Sequence, residues 1–147
     1  MAKADFFKNI SNIIQDNENR LSYGISVTDF DKDDNFEFIV AGFGYPNLAL
    51  KYDNGKLINS ISDYLFADTD RRTIGVASCD IDQDGFEEIY FLNTDTYSGD
   101  KKYSDRLLDH TDVISDYFEI QKNQDSLNLT AGRSCLLYTS PSPRDTN

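Results

Sequence analysis

Two acidic runs hold the residues whose types and spacing point to chemistry. Asp29, Asp31 and Asp33 alternate and Glu37 follows four residues after the last of them; Asp80, Asp82, Asp84 and Glu88 repeat the pattern. Like charges at about 4 Å cost about 1 kcal/mol per contact even in water, so four carboxylates within nine residues call for a neutralising cation. A hard divalent ion with six to eight oxygen ligands suits them. Positions one, three and five would supply carboxylates, position seven a backbone carbonyl (Asn35 or Phe86), and position nine the closing carboxylate (Glu37 or Glu88). Ca²⁺ is expected rather than Mg²⁺, because mixed side-chain and main-chain oxygens suit the irregular shell that Ca²⁺ accepts. The set contains no His and no thiolate, which disfavours zinc and copper. An EF-hand also begins DxDxDG, but position twelve is Val40 in one loop and Phe91 in the other, where that motif requires Glu between flanking helices. The competing reading is a pair of Asp-rich turns whose side chains bond their own backbone without a metal. The sixth position wants left-handed backbone, which Gly85 adopts freely and Asp34 adopts at a cost of about 1–2 kcal/mol. The second loop is therefore expected to bind more tightly.

The elements that must hold these loops repeat with them. The segment 23–39 aligns without gaps on 74–90, an offset of 51 residues (80 minus 29). Each copy opens on an apolar strand, turns through the acidic loop and leaves on a second strand, Glu37 to Ala41 or Glu88 to Leu92, which describes a hairpin. Leu48 to Tyr52 and Lys56 to Ile61 then alternate about Asp53-Asn54-Gly55, whose Asn-Gly signals a tight turn. In the second copy, Tyr103 to Leu108 and Tyr117 to Gln121 fill the same slots. Four short strands per period of about 50 residues is the pattern of a propeller blade. The expected organisation is residues 1–22 as a short packing helix or the end of a preceding blade, 23–73 as one blade, and 74–134 as a second blade with the start of a truncated third repeat at Gly132. Phe6, Phe7, Ile10, Ile13 and Ile14 share a face at helical spacing in the first segment.

Residues 135–147 match nothing upstream. CLLYTSPSPRD resembles one reading frame of a transposon-end sequencing adapter, so this tail is expected to be non-native and the natural chain to continue beyond Ser134. A disulfide between Cys79 and Cys135 would require the tail to be authentic, and no CxxC or His spacing suggests a zinc or redox site.

The 147 residues carry 14 Lys+Arg against 26 Asp+Glu, a formal charge of −12. Such a charge repels phosphate backbones and anionic lipid, so neither nucleic acid nor membrane is an expected partner. No apolar run is long enough to span a bilayer, and the first eight residues are too polar for a secretory core. At 39% hydrophobic and 13% aromatic the chain has the material for a folded core. His110, flanked by Asp109 and Asp112, reads as a solvated loop histidine, since no GxSxG or second base accompanies it. Arg71-Arg72 read as a salt-bridged connection between blades. Asn9-Ile10-Ser11 and Asn128-Leu129-Thr130 match the glycosylation sequon, a weak pointer to secretion. Tyr23, Tyr45, Tyr52 and Tyr97 are either strand residues or part of a partner surface.

The loops resemble the DxDxDGxx[DE] motif of FG-GAP repeats, also called VCBS repeats, and through them the calcium-binding blades of integrin α-subunit propellers. Over about 23–134 the chain is similar to the N-terminal propeller of the cartilage acidic protein family, in the strings FIVAG (38–42), PNLALKYD (46–53), CDID (79–82) and EEIYFLNT (87–94). The resemblance implies an all-β fold, here a fragment of about two blades of an integrin-α-like FG-GAP propeller of about seven blades. It further implies a secreted Ca²⁺-binding protein with an ASPIC/UnbV region and an EGF-like module, neither of which is present in this chain. Asp34 departs from the motif's Gly. The expected function is a non-enzymatic extracellular binding or adhesion module, meeting a protein or glycan at the propeller surface and the remaining blades of its own chain. The alternatives are the propeller portion of a polysaccharide lyase or hydrolase, and an acidic calcium buffer.

Overall fold

The computed structural model describes residues 7–94, 103–110 and 113–116. The expected tail (135–147), the strand at 117–121 and the third repeat lie outside the described residues. Within them the chain is all-β apart from one short helix and a 3-10 turn. β1 (Ser22–Thr28), β2 (Glu37–Gly42), β3 (Leu48–Asp53) and β4 (Lys56–Asn59) form one antiparallel sheet in sequential order. After the helix α1 (Tyr64–Ala67), β5 (Arg72–Cys79), β6 (Glu88–Thr94), β7 (Arg106–His110) and β8 (Ile114–Asp116) form a second sheet in the same order. The chain thus comprises about two blade-like units, each four strands deep.

The turns follow their residues. Asn54 and Gly55 both take positive φ (47° and 87°), the pair of left-handed conformations that a two-residue hairpin of matching twist requires, and they bring Asp53 opposite Lys56. Each acidic loop closes a hairpin, with Thr28 opposite Glu37 and Cys79 opposite Glu88. The expected strands match β1 to β6 closely. Among the described residues the fourth strand of the second sheet is Ile114–Asp116, which pairs His110 with Ile114.

The two sheets meet along their first strands. Gly24 lies so near Gly75 that a Cβ there would stand 3.0 Å from the Gly75 Cα and 3.1 Å from the Val76 nitrogen. Further along, the Ser26 and Ser78 hydroxyls share a 2.8 Å hydrogen bond. Phe30, Ile39, Ala49, Phe66, Ile89, Phe91 and Leu108 form one buried core that joins the sheets. Phe66 is its hub, with ring centroids 5.7 Å from Phe30 and 5.5 Å from Phe91. It is delivered by α1, whose first turn is capped by the Asp63 carboxylate accepting from the Leu65 and Phe66 N–H groups.

Residues 7–22 contain a 3-10 turn, Ser11–Ile13, and a single bridge from Ile14 to Leu57 beside β4. Phe7 and Ile10 are exposed, and Phe6, the first of the residues expected to share a helical face, lies outside the described residues. Arg71 pairs with Asp68, and Arg72 lies over the Phe43 ring where the two residues bridge the sheets, so the basic pair does sit in the connection between the two units. No helix among the described residues is long and apolar enough to cross a membrane.

Candidate metal centre at the paired acidic hairpins

Both loops curl by the same device. The fourth and sixth positions take positive φ in each: Lys32 (55°) and Asp34 (64°) in the first loop, Gln83 (65°) and Gly85 (88°) in the second. The left-handed sixth position expected from sequence is present in both, and Asp34 adopts it despite its Cβ. Position one then ties the loop together. Asp29 accepts from the N–H groups of Asp33 (2.9 Å) and Asp34 (3.0 Å), and Asp80 accepts from Gly85 (3.1 Å). Position nine is the first residue of β2 or β6 and reaches back to the loop entrance. Glu37 accepts from the Phe30 N–H at 3.0 Å and Glu88 from the Ile81 N–H at 2.6 Å. Asp33 and Asp84 accept from the backbone N–H of Asn35 and Phe86 (3.0 and 2.8 Å). Part of each carboxylate set therefore does bond its own backbone.

What remains differs between the loops. In the second, oxygens of Asp80, Asp82 and Glu88 lie within 4.8 Å of one another. Asp84 is outside that group, and the Phe86 ring packs under Lys32 (4.3 Å) instead. Glu88 is 2% exposed, and its Oε1 and the Asp80 Oδ1 are buried with no hydrogen-bond partner. Burial pushes the Glu88 carboxyl above its ordinary range; the Ile81 N–H opposes this, while Asp82 and Asp109 add to it. Buried carboxylate oxygens lacking donors are costly, and all the donors here are hard oxygen, so this loop fits a calcium-type ion.

In the first loop, Asp29, Asp31 and Asp33 converge similarly, but a cation from the chain stands among them. Lys51 Nζ is 2.7 Å from Asp31, 2.5 Å from Asp33 and 3.2 Å from Glu37 Oε1. The last contact is an ion pair without hydrogen-bond geometry. Burial works against the Lys51 charge, yet the three carboxylates outweigh it and hold its pKa above the usual lysine value. Asp33 is correspondingly lowered by its hydrogen bond from Lys51. Burial raises Glu37, with the Phe30 N–H and Lys51 pulling the other way. Asn35 closes this loop through its own side chain, which donates to Asp33.

Sequence reasoning missed Lys51 and Asp109. The signal was the register: Glu37 pairs with Lys51 across β2 and β3, whereas Ile89 pairs with Leu108 across β6 and β7, which makes Glu88 and Asp109 the next positions. His110 is a correction. It sits in β7, its ring stacked on Phe30 at 4.9 Å and its Nδ1 3.1 Å from the Phe30 carbonyl oxygen, rather than in a solvated loop. Also unforeseen is a buried network behind the second sheet. Arg106 bridges Asp68 (2.8 Å) and Asp116 (2.6 Å), and Asn93 donates to Asp68 and accepts from Thr73.

Two tandem four-stranded antiparallel sheets, each with an acidic hairpin between its first two strands, define a class of all-β repeat protein. No family model matches the chain. It is similar to Cartilage acidic protein 1 from Homo sapiens and from Xenopus tropicalis, at 43% identity to each, and to that of Mus musculus at 42%. Each match covers 80% of this chain and 20% of the relative, so the chain spans about a fifth of the length of the curated relatives it matches.

Proposed function

We propose that this chain is a two-blade portion of an FG-GAP/VCBS-type β-propeller that binds Ca²⁺ at the acidic hairpin between β5 and β6 and serves as a binding or adhesion module of an extracellular protein. The observation that carries the calcium reading is Glu88. Its carboxylate is buried, keeps one oxygen without a hydrogen-bond donor, and lies beside Asp80 and Asp82. The ion would be held by Asp80, Asp82 and Glu88 and would supply charge neutralisation, fixing the hairpin between β5 and β6. Asp84 and the backbone of Phe86 complete the set on the repeat reading; Asn35 holds the position matching Phe86 in the first loop, beside Asp29, Asp31, Asp33 and Glu37.

The extracellular address is supported by the relatives' name, which places them in cartilage. A binding rather than a catalytic role is supported by His110, whose ring is engaged in packing between the sheets. The partner is a protein or glycan that meets the loop-bearing surface, and the remaining blades of the longer protein flank these two. Calorimetric titration with Ca²⁺ tests the metal reading. Glu88→Gln should remove one bound ion per chain; unchanged binding would refute the assignment.

A further inference from the structure

The two hairpins share a loop and differ in what faces it from the third strand. We infer that Lys51 is a tethered cation that occupies the first hairpin's metal seat, so that this hairpin is locked without a divalent ion while the second depends on one. The inference rests on the calcium reading for the second hairpin and concerns the first.

The geometry is that of an occupied seat. Lys51 Nζ touches Asp31, Asp33 and Glu37 at 2.7, 2.5 and 3.2 Å, which are three of the four carboxylates at the ligand positions. Its side chain is 16% exposed and that of Glu37 is 1% exposed, so the ammonium is not a rim charge that swings freely into water. The tether also removes the translational and rotational cost that a free ion meets on binding. A divalent ion entering this loop would have to expel the ammonium from its three partners and rehydrate it elsewhere.

The second hairpin has the opposite arrangement. The position matching Lys51 in register is Asp109, one step beyond the Ile89–Leu108 pair, so a carboxylate stands where the first hairpin has an ammonium. Lys32 crosses from the first loop to this side, and its contacts are the Asp84 carbonyl oxygen at 3.5 Å and the Phe86 ring. One repeat thus brings its own cation and the other gathers a further acid, with Glu88 Oε1 still lacking a donor.

The test is a count of bound Ca²⁺ on the full chain by calorimetry. Lys51→Met keeps the apolar stem and removes the charge. It should raise the count by one ion relative to the unmodified chain, and adding Asp31→Asn to that variant should abolish the gain. No gain from a folded Lys51→Met would overturn the inference. Glu88→Gln, measured in parallel, tests the calcium reading separately, since losing an ion there does not depend on Lys51. If Lys51→Met does not fold, the ¹⁵Nζ resonance of Lys51 in the unmodified chain decides the matter. It should stay unchanged at saturating Ca²⁺, and a move to the position of an exposed lysine would overturn the inference.

Discussion

Glu37 and Glu88 occupy the same position in the repeat, both buried and both anchoring a loop entrance through one oxygen. Neither second oxygen accepts a hydrogen bond, but that of Glu37 has the Lys51 ammonium at 3.2 Å as an ion pair, whereas Glu88 has Asp82 and Asp109 as charged neighbours. Neutralising each should therefore act in opposite directions in the presence of a chelator. Glu37→Gln removes a charge partner from a buried ammonium and should cost about 1–3 kcal/mol. Glu88→Gln keeps an acceptor for the Ile81 N–H, relieves repulsion with Asp82 and Asp109, and should stabilise the metal-free chain by about 1 kcal/mol. Denaturant unfolding in EDTA checks both, and a loss of stability in both would contradict the contrast. The ligand carboxylates and the left-handed sixth positions were legible in the sequence because they lie within nine residues of one another. Lys51 and Asp109 were not, because each joins its loop only through the register of a strand 14 or 21 residues away (51 minus 37; 109 minus 88).

The elements were legible wherever local chemistry decides them. Alternation and the Asn54-Gly55 turn define β1 to β4 within a few residues, and the repeat carries β5 and β6 along. The strand expected at 117–121 lies outside the described residues; the strand Ile114–Asp116 ahead of it had no local sign, because the buried Asp116 carboxylate is met by Arg106 from β7. That partnership exists only in the folded sheet. Helix α1 had a local sign, Asp63 ahead of Tyr64-Leu65-Phe66, but a single turn has little periodicity to read. Contact between the sheets depends on Gly24, where an added Cβ would meet Gly75 backbone rather than a yielding side chain. Gly24→Ala should cost about 1–3 kcal/mol by forcing β1 and β5 apart. Thermal melts check this, and an unchanged midpoint would show that the strands do not approach so closely.

At the scale of the molecule, the first sheet carries an apolar stripe on β1. Tyr23, Ile25 and Val27 are each more than half exposed, joined by Phe38 on β2. On the propeller reading this is a face that a flanking blade covers, and the matched relatives are about five times longer than the segment they share with this chain. A charge there should leave the fold intact, within about 0.5 kcal/mol for Ile25→Lys, while raising the monomeric fraction of the 147-residue chain. Sedimentation velocity reads the second effect, and an unaltered distribution would exclude this stripe as the contact. The net charge of −12 takes on meaning at the same scale. Eight of the 26 acidic residues are the loop carboxylates at positions one, three, five and nine of the two repeats. Three of the first set meet Lys51, and Asp80 and Asp82 of the other converge with Glu88.

On the calcium reading a divalent ion completes the second hairpin, and thermal unfolding with and without Ca²⁺ decides whether it does. At free Ca²⁺ about 100 times Kd, linkage should stabilise the native chain by about 2.7 kcal/mol. The midpoint should be higher in Ca²⁺ than in EDTA, and Glu88→Gln should abolish that difference. Equal midpoints in the unmodified chain, or a calcium shift that survives Glu88→Gln, would contradict the calcium reading.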